Sequence, residues 1–175
     1  ETSTATADDV VTGTMTASTS VAVATIKVTL KNANGNTVTA ESFTATIAGP
    51  GILGAGAFGT GASLDDAVQA KGRALSVKNG DVVAVFPDGS SGVATITIGS
   101  STGVILATEK VTFFGDAAKI VTTVKKAVIG GGSTSTADVL SIVVTDAAGT
   151  TVSNLTSVNI VSSDVTKIAG AYTAA

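Results

Sequence analysis

The sequence predicts an all-β fold built as two successive β-sandwich units, the second of them incomplete. Composition is the first observation behind this. Of 175 residues 44% are apolar and only 13% are charged, and the apolar ones are mostly Val, Ala and Ile interleaved with 29 Thr. Such β-branched side chains suit a pleated surface and are restricted in a helix. The second observation is a series of short runs in which apolar and polar residues alternate, separated by turn residues. The third is a partial internal repeat.

Val10–Met15 is the first strand-like run, and Val21–Leu30 the second. In the second, Ile26, Val28 and Leu30 share one face while Thr25, Lys27 and Thr29 share the other. Val21 and Val23 stand in the opposite phase, which predicts a bulge near Ala24. Asn34-Gly35 follows, a tight-turn dipeptide in which both residues tolerate the positive φ of a type I′ turn. Phe43, Ala45 and Ile47 then alternate with Thr44 and Thr46. After a glycine-rich stretch, Ala74–Lys78 leads through Asn79-Gly80 into Asp81–Phe86, which Pro87-Asp88-Gly89 closes. Val93–Ile98 and Val104–Phe114 complete about seven strands in roughly 110 residues, the count of an immunoglobulin-like sandwich.

The repeat begins beyond these. Ile26–Val38 (IKVTLKNANGNTV) aligns with Leu140–Val152 (LSIVVTDAAGTTV), placing Gly35 over Gly149, and Asp9–Met15 has a counterpart in Lys119–Val124. Phe113–Val121 is the junction, so the expected units are residues 1–115 and 116–175. The second reaches only as far as the first does at its glycine stretch, and Val139, Ile142, Val144, Val158 and Ile160 would form its partial core. Periods above about 50 residues fit tandem domains better than short solenoid repeats.

The segments TLKNANGNTV and TDAAGTTV resemble the strand–turn–strand of bacterial immunoglobulin-like repeats of the invasin and intimin type. DGSSGVATITI is similar to a later motif of the same repeats, although Gly49–Leu75 is longer than their usual crossing. The resemblance implies a β-sandwich module of a surface-exposed structural or adhesive protein.

Several stretches imitate chemistry. Gly54-Ala55-Gly56-Ala57-Phe58-Gly59 satisfies the dinucleotide pattern G-x-G-x-x-G. That pattern binds pyrophosphate only where a buried parallel strand turns directly into a helix. The preceding strand alternates instead, and Gly49–Leu53 intervenes, so the stretch is expected to be a loop that binds no nucleotide. Ser63 and Asp66 do have capping-box-like spacing, which would allow a short helix over Leu64–Leu75. Gly99–Gly103 fits G-x-S-x-G, but the chain has no His, leaving only Lys110 as a formal partner for a serine nucleophile; a turn is expected. No catalytic residue and no cofactor is assigned. Asp8, Asp9 and Asp116, with Asp65-Asp66, are weak calcium candidates whose spacing matches no calcium loop. Asn154-Leu155-Thr156 is an N-glycosylation triplet.

With a net charge of −3 and Lys125-Lys126 as its longest basic run, the chain lacks a nucleic-acid footprint. No apolar run nears the roughly 20 residues of a membrane-spanning helix. ETSTATADDV at the start has neither the basic nor the apolar part of a leader, which fits a mature exported protein or one that never carried a leader. The expected function is non-enzymatic: a structural module of a cell-surface layer, appendage or adhesin, extracellular, whose partners are other copies of itself or neighbouring subunits. A virion tail or capsid-decoration component is the alternative. A carbohydrate-binding module is weaker, because five Phe, one Tyr and no Trp offer few aromatic platforms.

Overall fold

The computed structural model describes residues 11–18, 21–38, 41–56, 68–132, 136–164, 166–167 and 171–174, and among them every regular element is a strand. In chain order these are β1 (Val11–Thr14), β2 (Ala24–Lys27), β3 (Ser42–Ala48), β4 (Ile52–Gly56), β5 (Val68–Gly72), β6 (Ala74–Lys78) and β7 (Val82–Phe86). Then come β8 (Gly92–Ser100), β9 (Ile105–Phe114), β10 (Lys119–Val124), β11 (Leu140–Thr145), β12 (Val158–Val161) and β13 (Ala171–Ala174).

Strands β1 to β9 make two sheets, ordered β1-β9-β8-β3-β6 and β2-β7-β4-β5. They enclose one core, to which Phe43, Ile96, Ile98 and Phe113 come from the first sheet and Leu53, Val83 and Val85 from the second. Alternation places these side chains. Phe43, Ala45 and Ile47 of β3 point inward, while Ser42, Thr44, Thr46 and Ala48 face out. Strand β7 is buried at all five positions, as a central strand covered on both faces must be. The remaining strands form two separate ladders, β10-β11 and β12-β13.

Val23 donates its N–H to the Val85 carbonyl while Ala24 is the register partner of the same residue. Two residues against one is a bulge, and it lets Val23, Ala24 and Ile26 all pack on the core. Regular pairing of the long second run is confined to Ala24–Lys27.

Two expectations are corrected. The loop assigned to the glycine-rich stretch is in part strand β4, hydrogen-bonded on both sides by β5 and β7. Gly54, Ala55 and Gly56 are small enough to be buried between neighbours, so their lack of bulk marks close packing, not a turn. The helix allowed over Leu64–Leu75 is absent from its described part, because Val68–Gly72 pairs with β4 and Ala74–Lys78 with β3. One pairing is parallel, that of β1 with β9.

Candidate interaction site

The repeated segment folds into the same hairpin twice. In the first, Lys31 bridges Thr37, the Gly35 N–H reaches the Asn32 carbonyl at 2.9 Å, and the Val38 N–H reaches Leu30 at 2.9 Å. In the second, Thr145 bridges Thr151, Gly149 donates to Asp146 at 3.1 Å, and Val152 donates to Val144 at 2.9 Å. Positive φ occurs at Gly35 (79°) and Gly149 (89°), whereas the only described non-glycine with positive φ is Asp138. The type I′ turn expected at Asn34-Gly35 is therefore corrected to a three-residue loop closed by a left-handed glycine, which leaves Asn34 unstrained.

What surrounds the two hairpins differs. The first is sealed. Leu30 is 5% exposed within the core, and the Asn79 side chain bridges the outer edge. Its Oδ1 accepts the Leu30 N–H at 3.2 Å, and its Nδ2 donates to the Val38 carbonyl. Asn79 belongs to the turn between β6 and β7, where Gly80 takes the positive φ.

The second hairpin has no such cover among the described residues. Ile142, Val144, Val152, Leu155 and Val158 instead line an open apolar groove of about 260 Å³. Among the described residues, only Val144 and Val152 of the twenty buried hydrophobic ones follow Gly115, while nine of the thirteen exposed large hydrophobics do. Every residue of β10 is exposed, including Ile120, Val121 and Val124. The apolar face of this part of the chain is presented, not enclosed.

At the junction the second hairpin touches the end of the first set of sheets. Asp146 is buried at 4% exposure, and its Oδ1 accepts the Thr150 N–H at 2.7 Å. Its Oδ2 accepts the N–H of Gly115 at 2.9 Å. The Gly115 N–H is the chief reason the Asp146 carboxyl lies below its ordinary value; it outweighs the opposing effect of burial, with help from Thr150, the Ser91 hydroxyl and Ala148. Gly115 itself is closely packed, for a Cβ there would lie 3.1 Å from the Met15 Sδ. Nearby, the Thr12 and Ser153 hydroxyls are 3.0 Å apart.

Among the described residues, the other motifs named from the sequence bring no reactive groups together. Gly54 and Gly56 lie inside β4, whose ladders occupy the backbone that a phosphate would need; Ala57, Phe58 and Gly59 lie outside the described residues. Gly99–Gly103 turns β8 into β9 as expected, with the Ser100 Oγ accepting the Val104 N–H at 3.0 Å. Lys110 sits five residues along β9 from Ile105, about 17 Å at strand rise, so it cannot serve Ser101. Asp8, Asp9, Asp65 and Asp66 lie outside the described residues, and Asp116 is exposed; no group of three metal-ligating side chains forms among those described. Asn154, Leu155 and Thr156 are exposed. Among the described residues no helix is long and apolar enough to cross a membrane.

Some residues that organise the molecule carry no sequence signal. Arg73 donates to the carbonyls of Ile47, Gly49 and Gly51 at 3.1, 2.8 and 3.0 Å, pinning the crossing from β3 to β4. Asp88 is held on the other side of Gly51: burial raises its carboxyl, but N–H groups of Gly51 and Ser90, the Ser90 hydroxyl and Arg73 bring it below the ordinary value. Only the doubled Asn/Asp-x-x-Gly spacing could have pointed to Asp146. Comparison with protein-family models, with curated proteins and with solved structures finds no match to this chain.

Proposed function

We propose that this chain is a non-enzymatic structural module of an extracellular assembly, a surface layer, appendage or adhesin, built from immunoglobulin-like sandwiches through contacts between copies. The observation that carries this reading is the open groove of the second hairpin beside the sealed face of the first. A hairpin whose equivalent is covered within the same chain has a ready partner in a second copy, because burying the apolar face is favourable by roughly 25 cal/mol per Å². Low charge and abundant Thr and Gly suit faces that pack against neighbours. The resemblance to invasin- and intimin-type repeats supports the same placement on a cell surface.

The experiment is sedimentation velocity over a concentration series, with electron microscopy of the concentrated protein. Wild type should associate, and Leu155→Asp, which puts a charge in the groove, should remain monomeric with its first sheets melting as before. Monomeric wild type at every concentration would remove the proposal.

A further inference from the structure

We infer that Asp146 is the lock of the joint between the two repeat units, one carboxylate oxygen building its own turn and the other holding the preceding unit. The inference rests on the hairpin geometry and holds whatever the assembly does. At the matching position of the first hairpin stands Asn32, whose Oδ1 accepts the N–H groups of Asn34 and Asn36, each at 3.0 Å. An amide therefore suffices to build this turn. Asp146 does the equivalent work through Oδ1 toward Thr150. Its Oδ2 is the additional acceptor, and that oxygen reaches out of the hairpin to the Gly115 N–H at 2.9 Å. The Ser91 hydroxyl, from the connection between β7 and β8, is among the groups that lower the same carboxyl.

An Asn here would keep the turn and lose the joint. With its oxygen committed to Thr150, its NH₂ group would face the Gly115 N–H, donor against donor. Gly115 is buried, so its N–H would find no water in exchange. Gly115 is closely packed on both sides, since a Cβ there would lie 3.1 Å from the Met15 Sδ and 3.5 Å from the Cβ of Asp146. Asn32 in the first hairpin is exposed and clamps nothing. The same backbone thus serves as a free turn in one unit and as a fixed joint in the other.

The test is Asp146→Asn in the full chain, followed by amide hydrogen exchange and by residual dipolar couplings of the two units. Exchange at Gly115 should quicken by roughly ten- to a hundredfold, the loss expected for a hydrogen bond to a charged acceptor. The couplings of the units should become independent, while the amides of Thr150 and Val152 and the β10-β11 ladder keep their protection. Ser91→Ala, which leaves the turn untouched, should loosen the couplings to a smaller extent in the same direction. Unchanged Gly115 exchange and unchanged couplings in Asp146→Asn would overturn the inference. Loss of the second hairpin's own protection would overturn it equally, by showing that the carboxylate serves the turn and not the joint.

Discussion

The hairpins over 30–38 and 144–152 follow one backbone plan, down to the bridge, the turn bond and the left-handed glycine. Yet Leu30 belongs to a closed core and is edged by Asn79, while Val144 borders a groove open to solvent. The local fold is therefore dictated by the local sequence, through a turn that needs only an Asx side chain and a glycine. Burial is not. It comes from strands far away in the chain, so the same hairpin can be a finished edge or an unfinished one.

The largest expected difference lies in the core. Leu30→Ala should cost about 2–5 kcal/mol, because the closed surroundings retain a cavity. Leu155→Ala should cost only about 1 kcal/mol, since it trims a wall of a groove that is already open, from a side chain 39% exposed. Chemical denaturation of the two variants measures both, and equal losses would mean that the second hairpin is as enclosed as the first. Next comes Asn79→Ala, expected to cost about 1–3 kcal/mol by stranding the Leu30 N–H and the Val38 carbonyl. Exchange at the Leu30 amide should rise while that at Val144 stays unchanged. A smaller and equal effect is expected for Gly35→Ala and Gly149→Ala, about 1–2 kcal/mol each. No atom lies within 4 Å of either added Cβ, so only the backbone conformation resists. A marked inequality would show that the two turns are not equivalent.

The smallest effect is one of pH. The carboxyl of Asp146 is lowered in the fold by N–H and O–H donors, so its contribution is complete above the unfolded value of about 3.9. It disappears as pH falls through the lower folded value. The Gly115 amide resonance should move with acid below about pH 4, and Asp146→Asn should abolish that movement. Asn32 has no titrating counterpart, so the first turn should stay flat across the same range.

The strands from Ser42 to Phe114 are largely legible because alternation and turn residues are local signals. The bulge at Val23 and Ala24 and the doubled hairpin are legible for the same reason. Strand β4 was hidden because Gly54, Ala55 and Gly56 read as loop residues when their close neighbours are unknown. The Arg73 clamp, the Asn79 bridge and the reach of Asp146 to Gly115 were hidden too. Each joins residues more than twenty positions apart, and no periodicity records which distant carbonyl or N–H a side chain will meet. The groove was half visible: Ile142, Val144 and Val158 could be named as core residues without a cover, but its shape depends on Val152 and Leu155 as well.

The parallel pairing of β1 with β9 has a consequence for a chain placed under tension. The chain enters β1 at Val11 and leaves β9 at Phe114, and the register runs from Val11 with Val111 to Thr14 with Phe114. A pull on the two ends drags these strands past each other lengthwise, so all four register pairs bear the load together in shear. The β10-β11 ladder is loaded differently. Lys119 and Thr145 are register partners at one end of it, and they are also where the chain enters and leaves. Force there meets first the Gly115–Asp146 bond that spans the same ends and then peels the ladder one pair at a time, so in a stretched molecule β10-β11 should yield before β1 and β9 and lengthen the chain.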